Sequence, residues 1–265
     1  MHEHGGGSMD VVSLAIFAAV AFAGVSYVLA AVRGRRPWPW FRSALWIAGL
    51  VVCMAAVVGP LPALGHEDFA WHTVAHVLLG MVGPLLLVLA APITLMLRSI
   101  DAVPARRMSR LLRSPIVRFF VHPVPAAVLS VGGMWLMYGT DLYGSAHENG
   151  LFALVMNVHV FLAGYLFAAS MVSPDPAPHR PSFPFRAIVL VLAIAAHSIL
   201  AKVVYADPPA GIPAAEGEAA GLVLYYLGDA AEVALIVVFC AQWFRATRRG
   251  RPQRVPRAMR AASVR

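Results

Sequence analysis

Two histidines, His72 and His76, stand four residues apart in the run Trp71-His72-Thr73-Val74-Ala75-His76. On an α-helix that spacing stacks both imidazoles on one face, one turn apart, where they can reach a single ion. Met81 follows, slightly off that face. Further along, His159 has Met156 three residues earlier on its own face and Asn157 beside it. His197 precedes Lys202, and Asp229 and Glu232 stand three apart. Imidazoles with a carboxylate suit copper, zinc or iron, and a thioether adds preference for Cu(I). The sequence has no GxGxxG, P-loop, GxSxG or HExxH pattern, so nucleotide chemistry and the common hydrolytic mechanisms have no support.

The elements that must position these groups are membrane helices. Of the 265 residues, 60% are apolar and 13% charged, more apolar surface than a soluble chain of this length can hide. Seven apolar runs are long enough to span a bilayer: 11–32, 43–64, 71–97, 119–138, 151–172, 186–206 and 221–244. The expected fold is therefore all-α, a polytopic bundle of seven transmembrane helices. A short outer tail, 1–10, precedes the bundle at 11–244, and a basic, disordered tail, 245–265, follows it. No basic n-region precedes the first run, so a cleaved signal peptide is not expected.

Net charge is +8, and its placement points to a membrane surface rather than to nucleic acid. Arg33, Arg35, Arg36 and Arg42 follow the first run; Arg98, Arg106, Arg107, Arg110, Arg113 and Arg118 follow the third. Arg180 and Arg186 follow the fifth, and eight arginines follow the last. The alternate loops carry Glu67, Asp68, Asp141, Glu148, Asp207, Glu216 and Glu218, with no Lys or Arg. The positive-inside rule then puts the N-terminus outside and the C-terminus in the cytoplasm, with the basic tail against anionic lipid headgroups. Cys53 and Cys240 lie in different apolar runs and read as free packing residues.

At 1.5 Å per residue, His159, His197 and Asp229 each lie roughly 13 Å from the outer ends of their runs, and His76 about 9 Å. Ionisable groups inside a span are costly, so their coincident depth needs a reason. The candidate metal site is His72, His76, His159, His197 and Asp229. His66, His147 and Glu148 sit in the outer loops as an entry route. His122 reads as interfacial and His179 as solvated. Three other readings stay open: bis-histidine haem ligation by His159 and His197, hydrogen bonding between helices, with Lys202 paired to Asp229 or Glu232, and metal transport.

The runs Trp71 to Leu79, Gly83-Pro84-Leu85-Leu86 and Ala91-Pro92 resemble the cytochrome c oxidase assembly factors of the CtaG type. Asn157-Val158-His159, Gly164-Tyr165-Leu166-Phe167, Ala196-His197 and Tyr225 with Leu227-Gly228-Asp229 fit the same family, and the likeness covers roughly residues 40 to 245. It implies a multi-pass protein of the bacterial plasma membrane, not an enzyme, that matures a caa-type oxidase by binding or delivering copper. Its partners would be oxidase subunits and membrane lipids. His72, His76, His159 and His197 would be imidazole ligands, with Asp229 a ligand or an acceptor that fixes a histidine tautomer. The chain lacks the cysteine motif of the single-span copper chaperones that have shared the family's name, so transfer through thiolates is not implied.

Overall fold

A computed structural model describes residues 11–34, 36–140, 142–144, 150–176 and 180–249. The expectations for the 1–10 tail, for His147, Glu148 and His179, and for most of the C-terminal tail lie outside the described residues. The described residues form the helices α1 Val11–Arg33, α2 Trp40–Val57, α3 Pro60–Glu67, α4 Phe69–Leu89, α5 Pro92–Ser99 and α6 Ala102–Leu112. They continue as α7 Pro115–Phe120, α8 at 123–139, α9 Gly150–Val172, α10 Phe183–Ala206 and α11 Ala214–Arg249. No strand occurs among the described residues; the all-α architecture expected from the apolar runs is the one observed.

Among the described residues, six helical stretches are long and apolar enough to cross a membrane: α1, α2 with α3, α4, α9, α10 and α11. The expected fourth span is shorter than its apolar run. Pro115, Pro123 and Pro125 sit at or near helix starts, where their missing N–H is harmless, and they cut the run into α7 and α8. At 17 residues, α8 is about 26 Å long, at the low end for a span. It still crosses the bundle, since the His122 ring before it lies 5.6 Å from Phe185 and the Tyr138 ring near its end lies 5.8 Å from Phe69. At the other extreme, α11 runs through Phe244 to Arg249, past the boundary expected for the tail.

The arginine-bearing ends of the helices are tied by polar contacts to carbonyls and N–H groups that helix breaks release. Between α4 and α5 the chain turns at Ala91, a non-glycine residue with φ of 55°, because Pro92 disfavours the helical conformation in the residue before it. The Tyr27 hydroxyl donates to the freed Ala90 carbonyl at 2.7 Å and accepts from Trp38 Nε1 at 3.0 Å. Asp175 caps the start of α5, accepting from the N–H groups of Ile93 and Thr94 and from the Thr94 hydroxyl. At the end of α9, the buried Arg186 donates to the Met171 carbonyl, and Gln242 Nε2 donates to Val172 at 2.6 Å. A cation at a helix C-terminus is favoured by the macrodipole, and the Arg186 guanidinium also lies 4.2 Å from the Phe183 ring. At the opposite end, the Phe69 N–H donates to Glu216 at 3.1 Å, tying α4 to α11.

Candidate functional site

Both α4 and α8 contain a single π turn, at Leu78–Val82 and Val128–Gly132. Such turns are rare and concentrate at functional sites. Here they have a definite consequence. In a regular α-helix, residues five apart face directions about 140° apart, which would point Met81 away from His76. A π turn closes its hydrogen bonds over five residues, and His76 and Met81 accordingly line the same cavity.

That inner cavity has a volume of about 20 Å³ and is walled by His76 and Met81 of α4, Met134 of α8 and His159 of α9. Close backbone approaches make it possible. A side-chain carbon on Gly164 would fall 1.8 Å from the Gly80 carbonyl oxygen, so only glycine lets α9 come this near α4. On α8, Gly133 leaves the place where His159 Nε2 sits, 2.5 Å from where a β-carbon would stand.

Toward the arginine-poor end, His76 also lines an outer cavity of about 110 Å³ with His66, His72, Met156 and Asn157. The His72 ring packs 5.0 Å from Tyr143 and 5.9 Å from Phe69. Burial pushes the Tyr143 phenol up to about 12, with Glu216 adding to the rise, so the ring beside His72 stays neutral. On the other side, a cavity of about 40 Å³ shares Gly80, Met81, Ser130 and Met134 with the inner one and ends on His197 and Glu232. His197 and Glu232 are 2% and 6% exposed, and Nδ1 of the one stands 3.1 Å from Oε1 of the other. That separation is an ion-pair distance without hydrogen-bond alignment, and His197 Nε2 and Glu232 Oε2 are left with no hydrogen-bond partner among the described residues.

The five residues singled out in the sequence therefore do not gather at one point. Among the described residues, no group of three or more His, Cys, Asp and Glu side chains is placed to hold a metal ion. His76 and His159 share the inner cavity, while His72 belongs to the outer one. His197 is paired with Glu232 in the third, although both it and His159 lie within electrostatic reach of His76. Asp229 is half-buried and lines none of these three cavities; Glu232, one helical turn on, is the carboxylate that faces the histidines. Lys202 lies against the Tyr225 ring, 5.6 Å from its centroid, and forms no ion pair with either acid among the described residues. Sequence reasoning missed Met134 and Ser130, because α8 holds no His, Cys, Asp, Glu, Lys or Arg to draw attention. The signal it did hold is Gly132-Gly133-Met134, small residues beside a soft donor inside a span.

The donor set of the inner cavity is two imidazoles and two thioethers, a combination that suits soft, low-coordinate Cu(I) better than zinc or magnesium. At about 20 Å³ the inner cavity has the size of a single-ion site, far below the roughly 300–1,000 Å³ of sites that enclose organic ligands, and His159 and His197 line different cavities.

Comparison with known proteins bears on what such a cavity serves. Residues 25–246 match the family model described as cytochrome c oxidase caa3 assembly factor. An uncharacterized protein of Mycobacterium leprae (strain TN) is 32% identical over 167 residues, covering 59% of this chain and 25% of its own length. Uncharacterized proteins of Mycobacterium bovis and Mycobacterium tuberculosis are each 31% identical over 177 residues, covering 64% of this chain and 27% of theirs. The chain thus spans about a quarter of the length of these curated relatives. No solved structure matches it.

Proposed function

The chain belongs to the cytochrome c oxidase caa3 assembly factor family, and from that premise we propose that it matures a caa3-type oxidase in the bacterial plasma membrane by holding Cu(I) for transfer to the oxidase. What supports the copper step is the inner cavity lined by His76, Met81, Met134 and His159. The imidazoles and thioethers are neutral donors, so they bind Cu(I) without the strong grip of thiolates, which suits a carrier that must release its cargo. Burying a cation requires a compensating charge nearby, and Glu232 supplies one in the adjoining cavity. His66 and His72 line the outer cavity through which the ion would reach His76. A carrier of this kind binds and releases without turnover, so no catalytic residue is assigned.

The test pairs binding with maturation. Purified protein is loaded with Cu(I) and its copper counted beside His76→Ala/His159→Ala, and a host lacking the protein is complemented with each form and assayed for caa3-type oxidase activity. About one copper per chain, lost in the double variant together with oxidase activity, supports the reading. Copper retained in the variant sinks the cavity assignment. Normal oxidase activity in the uncomplemented host sinks the assembly role, and copper flux through sealed vesicles would make the protein a transporter.

A further inference from the structure

A further pocket, of about 120 Å³, opens at the arginine-bearing end of the bundle, between the α6–α7 segment and α9. Much of its wall is apolar, formed by side chains such as Val117, Val121 and Leu166, and three nitrogen-bearing side chains line it: Arg118, His122 and Arg180.

Among the described residues none of the three forms an ion pair with a carboxylate. The His197–Glu232 contact is the only ion pair among the described residues, so neither arginine has a carboxylate partner there. Asp175, the acid in the pocket wall, spends its carboxylate on the start of α5, accepting from Ile93, Thr94 N–H and the Thr94 hydroxyl. Arg180 reaches only the Asp175 backbone carbonyl, at 3.3 Å. Burial holds the Arg180 guanidinium below its ordinary value, with Asp175 pulling the other way; a partly desolvated cation of this kind is stabilised by an incoming anion. His122 Nδ1 accepts the Val124 N–H at 3.4 Å, which leaves the ring proton on Nε2, free to donate outward.

Just outside the pocket the surface is greasy: Ile116 is 68% exposed and Phe119 59%. A small hydrophilic anion would use the arginines and waste the apolar wall and rim. An amphiphile uses both.

We propose that this pocket binds an anionic phospholipid, its phosphodiester held by Arg118, Arg180 and His122 and its acyl chains lying over Ile116 and Phe119. The pocket volume fits the phosphate and glycerol end alone, which leaves the chains outside, where the exposed apolar surface is. Arginine pairs are suited to phosphate through their planar donor forks, and the arginine-rich side of a membrane protein faces the leaflet in which anionic lipids concentrate. A lipid seated here would brace α7 against α9 at the end of the bundle away from the copper cavity.

Native mass spectrometry of the delipidated, detergent-solubilised chain, titrated with phosphatidylglycerol or phosphatidylcholine, tests this directly. The expected result is one retained phosphatidylglycerol, favoured over phosphatidylcholine by roughly 10-fold or more for two arginine contacts. Arg118→Gln/Arg180→Gln should lose that preference, while Arg113→Gln, an exposed arginine outside the pocket, should keep it. Equal retention of the two lipids by the wild-type protein overturns the proposal even if the double variant fails to fold. So does an equal loss in Arg113→Gln, which would mean diffuse attraction, or displacement of the lipid by equimolar inorganic phosphate, which would mean an anion site indifferent to the acyl chains.

Discussion

Gly133→Ala tests the proposed copper site in the inner cavity without removing a single donor. The added β-carbon would stand 2.5 Å from His159 Nε2 and 3.3 Å from its Cδ2. Ordinary contact for such a carbon begins at 3.4 Å, so the imidazole nitrogen must retreat by about 0.9 Å. Metal–ligand distances tolerate only about 0.2 Å, so His159 should cease to be a ligand although it is still present. Misplacing a ligand's support typically costs about 10–100-fold in metal affinity, roughly 1.4–2.7 kcal/mol. The assay is competition for Cu(I) against a colorimetric chelator, run on wild type, Gly133→Ala, His159→Ala and Gly139→Ala. Gly139 lies on the same helix with nothing within 4 Å of its added carbon, so it reports any general effect of alanine on α8. The expected order is wild type equal to Gly139→Ala, with Gly133→Ala falling most of the way to His159→Ala. Wild-type affinity in Gly133→Ala together with a loss in His159→Ala would refute the placement of the ring against α8. Unchanged affinity in both would remove His159 from the site.

Other consequences of the structure can be read as stability. Tyr27→Phe should lower thermal stability in detergent by about 1–3 kcal/mol, since it strands the Ala90 carbonyl and the Trp38 indole N–H; an unchanged melt would mean that water or another donor reaches Ala90. Asp175→Ala removes the cap from α5 and should cost about 0.5–2 kcal/mol, visible as earlier proteolysis between α4 and α6. Glu232→Leu leaves His197 buried without its partner and should cost about 3–5 kcal/mol, while His197→Leu/Glu232→Leu should recover most of that. A double variant no better than the single one would show that the pair is held for something other than mutual compensation.

The parts of this fold legible in the sequence are those that obey the bilayer. Runs of about twenty apolar residues and arginines confined to alternate loops are demanded by the cost of exposing backbone and charge to hydrocarbon, and they located nearly every long helix. What escaped was set by tertiary packing. Pro123 and Pro125 were visible, but whether they break a span or begin one depends on what their neighbours satisfy. The π turns at Leu78–Val82 and Val128–Gly132 leave no periodic signature, so the sequence places Met81 only slightly off the histidine face and gives no reason to single out Met134. Asp229 and Glu232 are nearly equivalent in sequence, one helical turn apart. The difference lies in Gly228, where a β-carbon would fall 2.3 Å from His197 Cε1. This close seat admits the imidazole against α11 and turns it to Glu232.

The order of the three cavities carries a last consequence. His76 lines both the outer and the inner one, and Gly80, Met81, Ser130 and Met134 line both the inner one and the one that ends on His197 and Glu232. Polar groups therefore form a string that starts at the arginine-poor end and stops inside the bundle. Beyond Glu232 the residues toward the arginine end are apolar, with Leu85, Leu190, Leu235 and Phe239 buried in one cluster, and past them Arg186 occupies the end of α9. A cation moving on from Glu232 would have to desolvate fully among these side chains and then approach a fixed positive charge, both strongly unfavourable. On the proposed function, the path in would also be the path out. That geometry suits loading and release on one face of the membrane, and it is the physical reason to favour a carrier over a channel.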